Sequence, residues 1–269
     1  MNEAERVKAL LVKYNIVPKK SFGQNFLIDE HVIRSIISLF DYSIYDEVIE
    51  IGPGIGALTI PLFDRAKKLT VIEADRDMVK ILKDIFQDKE ITIVQNDFLK
   101  YEFEDEIDKN RLIIGNLPYN ITSALLKKLI KSNFSTFGIM VQKEVAEKLI
   151  YVPGKKENTP MGLFLACGYK IDGTVQVKSS SFFPSPKVDS TFIRIDKYED
   201  IDYKYYLLFK IMFKDNNKAI KNCLKQNKFT KDYLSKIHRE EINALLLLRA
   251  RQLTVSQAKY LAKDILSNK

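Results

Sequence analysis

Between Glu47 and Gln142 the chain alternates short apolar runs with amphipathic stretches, and this alternation restricts its fold more than any other feature. The runs are Val48–Ile51, Leu69–Glu73, Ile91–Gln95, Leu112–Gly115 and Phe137–Val141, each four or five residues long. Such Val- and Ile-rich runs suit strands buried on both faces. Helical spacing fills the gaps at Ala57–Ala66, Met78–Phe86 and Thr122–Lys131. Strand and helix in alternation predict a parallel sheet covered on both sides. Open sheets of this kind bind ligands at the carboxyl ends of their strands. The residues that follow each run are therefore the candidates for function.

The flanks complete the outline. Residues 1–17 carry Val7, Leu10 and Leu11 at helical spacing, and an aperiodic loop follows from Pro18 to Leu27. Asp29 is placed to cap a helix over Val32–Phe40. A further helix is expected from Lys143 to Leu149, ended by Pro153-Gly154. Val175–Lys178 and Thr191–Ile195 read as late strands that extend the sheet with an antiparallel hairpin around residues 179–190. From Asp202 onward the pattern is helical. These features predict an α/β domain over residues 1–200 and a small all-α domain over 201–269.

Charge follows the same division. The chain has 43 Lys and Arg against 35 Asp and Glu, and residues 201–269 alone hold 15 against 6. A basic helical appendage on a near-neutral body points to a polyanionic partner, although lysine enrichment also serves solubility. No apolar run approaches the roughly 20 residues of a membrane span. The charged start M-N-E-A-E-R-V-K does not resemble a secretory signal, so a cytoplasmic protein is expected. Cys167 and Cys223 lack metal or disulfide spacing, and His31 and His238 lack partner motifs. No metal site is expected.

At the sheet edge, the first run leads into Gly52-Pro53-Gly54-Ile55-Gly56 and then a helix. Glycines there let a ligand approach the backbone, and the helix start offers free amide donors. The spacing does not meet the dinucleotide pattern G-x-G-x-x-G and better suits a nucleoside with a small charged tail. Glu73 ends the second run, where a carboxylate can accept both hydroxyls of a ribose. Asp97, after the third run, can accept an adenine amino group; an Asx turn is the alternative. After the fourth comes Asn116-Leu117-Pro118-Tyr119: a carbonyl acceptor, a stiff backbone and a flat aromatic face. These could grip a planar ring bearing an amino group, or simply end the strand in a turn.

This order of features resembles the class I S-adenosylmethionine-dependent methyltransferases, with a Rossmann-like sheet. Ser21-Phe22-Gly23-Gln24-Asn25-Phe26-Leu27, Glu50-Ile51-Gly52-Pro53-Gly54, Asn116-Leu117-Pro118-Tyr119-Asn120, Gln142-Lys143-Glu144-Val145 and Phe182-x-Pro-x-Pro-Lys187-Val188-Asp189-Ser190 together resemble the KsgA family. Its members dimethylate adenines of small-subunit ribosomal RNA. The resemblance is strong over roughly residues 17–195 and weaker beyond.

What the resemblance implies can be placed residue by residue. Asn25 and Leu27 would close over the methionine part of S-adenosyl-L-methionine, beside Gly52. Glu73 would hold its ribose and Asp97 its adenine. Asn116 would face both cofactor and target, with Leu117 or Pro118 supplying a carbonyl. Tyr119 and Phe182 would stack on the target base from opposite sides. The implied product is dimethyladenosine at two adjacent positions near the 3′ end of small-subunit rRNA, made within a pre-small-subunit particle; the sequence is silent on oligomeric state, and a monomer is the default expectation. The nearest alternative is an Erm-type enzyme acting on the large subunit. An RNA-binding assembly factor with dispensable catalysis is a third reading. The chain departs from the family at Phe213–Lys218, where an Arg-Arg-Lys cluster is usual, and at Thr159–Leu163. Lys218, Lys221 and Lys225 recur at helical spacing and could form a replacement phosphate-facing stripe, a solvated helix face being the alternative. Both departures bear on RNA docking rather than on methyl transfer.

Overall fold

The computed structural model describes residues 1–19, 23–103, 110–132, 134–235, 237 and 239–268. Ser21 and Phe22 of the expected loop motif, and His238, lie outside them. Asn2 and Glu5 form a capping box at the start of α1 (Glu3–Lys13), whose Val7 and Leu11 are buried. After β1 (Phe26–Leu27), the Asp29 carboxylate accepts the His31 and Val32 N–H groups and starts α2 (Glu30–Ile37) as expected. The alternating region follows: β2 (Glu47–Ile51), α3 (Thr59–Phe63), β3 (Leu69–Glu73), α4 (Arg76–Ile85), β4 (Thr92–Gln95), β5 (Arg111–Gly115), α5 (Thr122–Lys131) and β6 (Thr136–Gln142). Then come α6 (Lys143–Leu149), α7 (Pro160–Gly168), β7 (Tyr169–Val177), β8 (Phe182–Phe183) and β9 (Ser190–Lys197). The chain ends in α8 (Tyr203–Met212), α9 (Ile220–Lys225), α10 (Glu240–Leu247) and α11 (Val255–Ser267).

Seven strands form one sheet in the order β4-β3-β2-β5-β6-β9-β7. The pairs from β4 to β6 are parallel, and β9 runs antiparallel to β6. The expected parallel core with an antiparallel edge is therefore present. Every residue of β2 and β3 is buried, whereas β7 alternates exposed and covered positions as an outer strand does. The chain reverses its direction of travel at β2, with β3 on one side and β5 on the other. That is a topological switch point, and it fixes where a crevice opens.

Two features escaped the sequence reading. β1 and β8 make a separate two-stranded ladder, pairing Phe26 with Phe183 and Leu27 with Phe182. It joins two loops more than 150 residues apart, yet each strand is too short to show an alternating pattern. The compact units also interleave: Met1–Lys143 with Ile171–Asp196, and Glu144–Lys170 with Lys197–Lys269. A single cut at residue 200 was the expectation. The cause is α7, apolar on all sides and buried at Leu163, Phe164, Leu165 and Cys167. Such a helix needs partners all round, and Phe164 meets Tyr206 of α8 at 6.0 Å between ring centres.

Within this second unit the expected lysine stripe is shorter. α9 carries Lys221 and Lys225, while Lys218 precedes the helix and pairs with Asp215 at 3.3 Å. Cys167 and Cys223 are buried free thiols. Among the described residues, no helix is long and apolar enough to cross a membrane.

Candidate active site

A cavity of about 400 Å³ opens at the carboxyl ends of β2, β3, β4 and β5, inside the first unit. All the expected site residues except Phe182 line it. Its volume lies in the range of small-molecule sites, roughly 300–1,000 Å³.

The floor is the glycine turn after β2. Gly52 has φ +64°, and a Cβ there would come within 2.9 Å of Leu117 Cδ2, so the turn and the 116–119 loop lie against each other. Gly54 donates its N–H to Glu73 Oε2 at 3.0 Å, and Asp75 N–H donates to Glu73 Oε1 at 2.8 Å. Burial raises the Glu73 pKa against the pull of these amide bonds. Glu50 is more deeply placed: 1 % exposed, with Oε2 lacking a hydrogen-bond partner among the described residues. Burial, with a smaller push from the Glu73 charge, raises it to about 8. At neutral pH Glu50 is therefore largely a neutral acid.

Asp97 is half-buried at the end of β4, its Oδ1 accepting the Leu99 N–H at 2.9 Å. The Asx-turn bond and the place in the cavity thus coexist. Asn116 stands at the end of β5, half-buried, with Nδ2 3.5 Å from the Asn25 carbonyl. That long contact leaves the carboxamide oxygen free to accept. The Pro118 carbonyl accepts the Ile121 N–H at 3.2 Å, as the chain enters a 3₁₀ turn at Tyr119–Ile121. The Tyr119 hydroxyl bonds to Ser190 Oγ at 2.6 Å, which ties the loop to the first residue of β9. In the sequence Ser190 is one residue of the Lys187–Ser190 motif; the fold gives it a partner.

Phe182 is the expected site residue that the structure does not bring to the cavity. It is 2 % exposed and packs in the main core with Leu27, Phe40 and Phe192. Its neighbour Phe183 is half-buried and packs instead with the cluster of Val7, Leu11 and Phe26. Adjacent strand residues face opposite ways, and pairing with β1 decides which goes inward. A stacking face for Phe182 is absent from this arrangement.

Chemically, the cavity presents carboxylates at Glu73 and Asp97, acceptors at Asn116, and apolar walls from Leu27, Ile51 and Leu117. S-adenosylmethionine fits this set: its ribose hydroxyls and adenine amino group are donors, and its sulfonium and ammonium are cations.

Comparison with known proteins agrees. The chain matches the family described as ribosomal RNA adenine dimethylase over residues 17–263. It is 37% identical over 248 residues to the ribosomal RNA small subunit methyltransferase A of Clostridium perfringens (strain SM101), covering 87% of this chain and 86% of that protein. The protein of the same name from Buchnera aphidicola subsp. Baizongia pistaciae is 35% identical over 273 residues, covering 95% of this chain and 100% of its own. Among solved structures, a dimethyladenosine transferase from Plasmodium falciparum aligns with TM-score 0.74 at 23% identity, covering 90% of this chain and 98% of that one. The 23S rRNA methyltransferase ErmE aligns with TM-score 0.67 at 24% identity, covering 90% and 99%. These two likenesses establish the fold. The chain belongs to the ribosomal RNA adenine dimethylase family, S-adenosylmethionine-dependent enzymes built on the class I methyltransferase sheet.

Proposed function

We propose that this chain dimethylates the exocyclic amines of two adjacent adenosines near the 3′ end of small-subunit ribosomal RNA, within a pre-small-subunit particle. The observation that carries the reading is the convergence of Asn116 and Tyr119 with Glu73 and Asp97 on one cavity. A target-gripping loop and a nucleoside-cofactor site then share a wall. The relatives at 35% and 37% identity are named for the small subunit, which favours it over the Erm-type alternative. Acceptors at Glu73, Asp97 and Asn116 on one cavity argue against an assembly factor with dispensable catalysis.

S-adenosylmethionine supplies a methyl group already activated by the sulfonium, so no strong base is needed. The residues orient the attacking nitrogen. An adenine amine is a poor nucleophile because its lone pair is delocalised into the ring. Accepting its N–H bonds with the Asn116 carboxamide oxygen and a backbone carbonyl favours a pyramidal nitrogen with the lone pair exposed. That second acceptor is the Leu117 or the Pro118 carbonyl; the latter also accepts the Ile121 N–H of the 3₁₀ turn and keeps a second lone pair. With the cofactor bound, Asn116 and the backbone carbonyl would hold that lone pair in line with the sulfonium methyl, and the amine proton would leave to water. Orientation of this kind contributes roughly 7–11 kcal/mol in the best cases. The site acts twice, since the first transfer leaves one N–H.

The target base must leave its stack at a cost of a few kcal/mol. The Tyr119 ring offsets part of this, at about 1–3 kcal/mol for a stacked base. Phe182 contributes from the core, as the β8 partner of Leu27. The basic helices after residue 200 dock on rRNA phosphates, and the enzyme works as a cytoplasmic monomer. The test is to supply radiolabelled cofactor with isolated small or large subunits lacking the modification. Label in the small subunit at two adjacent adenosines is expected; label only in the large subunit would refute the proposal.

A further inference from the structure

The cavity wall at Gly23, Gln24, Asn25, Phe26 and Leu27 comes from a segment whose regular structure is the two-residue β1. A group of side chains unused in methyl transfer fixes the start of this segment. Gln24 Nε2 donates to Asp75 Oδ2 at 2.7 Å, while Gln24 Oε1 accepts the Lys19 backbone N–H at 2.8 Å. Lys19 Nζ reaches Asp75 Oδ1 at 2.8 Å and Asp77 Oδ2 at 2.6 Å. Asp75 is 3 % exposed, and its own N–H donates to Glu73. One buried carboxylate thus holds the segment on one side and adjoins the expected ribose acceptor on the other.

The far side of the segment meets the catalytic loop. A Cβ on Gly23 would lie 2.9 Å from Pro118 Cβ, so the backbone there is pressed against the loop that carries Asn116. Bonds between an amide and a largely buried carboxylate are charge-assisted and shielded from water, hence stronger than neutral surface contacts.

We propose that Gln24 and Asp75 are positioning residues that latch residues 23–27 over the cavity and so set the affinity for S-adenosylmethionine, without touching the reacting atoms. The proposal rests on the cavity being the cofactor site. It separates two effects. A loosened latch must be reordered each time cofactor binds, which weakens binding. Once the cofactor is held, Asn116 and its neighbours are unchanged, so saturated turnover persists.

Gln24→Glu tests this by facing two carboxylates across the latch. The double variant Gln24→Glu with Asp75→Asn exchanges donor and acceptor. The carboxamide introduced at position 75 then donates its N–H to the carboxylate at position 24, while its oxygen still accepts the Asp77 N–H that caps α4. Calorimetric titration of the full chain with S-adenosylhomocysteine is the readout. We expect Gln24→Glu to bind at least about ten-fold more weakly, the factor for one hydrogen bond to a charged group. The double variant is expected to recover most of the loss. Turnover at saturating cofactor should stay within about two-fold of the parent, a KM effect rather than a kcat effect. Wild-type affinity in Gln24→Glu would overturn the latch, as would a double variant that melts like the parent yet binds no better than the single one. A parent chain that fails to bind S-adenosylhomocysteine would instead overturn the cofactor reading of the cavity.

Discussion

Glu73 and Gly54 are joined at the floor of the cavity: the carboxylate at the end of β3 accepts the backbone N–H of the glycine turn after the neighbouring β2 at 3.0 Å. The other carboxylate oxygen accepts the Asp75 N–H at 2.8 Å. Each oxygen keeps further lone pairs for a ligand. The acid assigned to the ribose therefore also shapes the turn assigned to the methionine end. Replacing Glu73 with Gln sets an amide N–H₂ against one of two backbone donors. We expect cofactor affinity to fall about 10- to 100-fold, in line with losing charged hydrogen bonds worth roughly 1.5–3 kcal/mol. Titration with S-adenosylhomocysteine measures it. Parent-like affinity would remove Glu73 from the cofactor site.

Asn116 is set against a different measurement. Among the described residues its carboxamide makes one long contact, to the Asn25 carbonyl at 3.5 Å. Asn116→Ala should leave the fold intact while removing the acceptor that orients the target amine. Single-turnover methylation at saturating cofactor is expected to drop by about 10²-fold or more, the scale of a misplaced near-attack geometry. Cofactor affinity should fall far less. An Asn116→Ala enzyme with full methylation would end its catalytic assignment.

Tyr119 separates ring from hydroxyl. The Tyr119–Ser190 bond of 2.6 Å joins the 116–119 loop to β9, and Ser190 has no exposed surface. Burial raises the Tyr119 pKa, so the hydroxyl is neutral and able to donate or accept. Tyr119→Phe keeps the stacking face but strands the serine hydroxyl, at a cost of about 1 kcal/mol of stability with modest loss of activity. Tyr119→Ala loses the face too. Its methylation efficiency should fall by a further factor of about 5 to 150, the equivalent of 1–3 kcal/mol of base stacking. Denaturation midpoints and kcat/KM on rRNA distinguish the two; equal activity in both variants would show that the ring does not meet the base.

The parallel core was legible because β2, β3 and β5 are buried on both faces, which leaves unbroken Val and Ile runs to read. The strand-end groups were legible for the same reason, since each run points to the residue that follows it. What stayed hidden depends on pairing over long sequence distance. Phe182 and Phe183 are equivalent in the sequence, and only the register with Phe26 and Leu27 sends Phe182 inward. The latch at Asp75 was masked by its own local role, because an Asp there already explains itself as the cap of α4. The place of α7 in the helical unit follows from burial all round, a property the helix shares with any apolar run.

Glu50 makes the folded state sensitive to pH. It sits in mid-sheet beside Val71 and Ile114, with one oxygen lacking a partner among the described residues. Burial raises its pKa from 4.5 to about 8. The folded chain thus keeps a proton that the unfolded chain releases, so this contribution to stability is full below pH 4.5 and is lost as pH rises through about 8. A shift of this size corresponds to a few kcal/mol at about 1.4 kcal/mol per unit. Glu50→Gln has nearly the shape of the neutral acid and no proton to lose. Without cofactor, its denaturation midpoint should stay flatter than the parent's between pH 5 and 8, and exceed it at the alkaline end. Parallel pH profiles for the two proteins would show that Glu50 is ionised in the folded state, its charge accommodated inside the cavity.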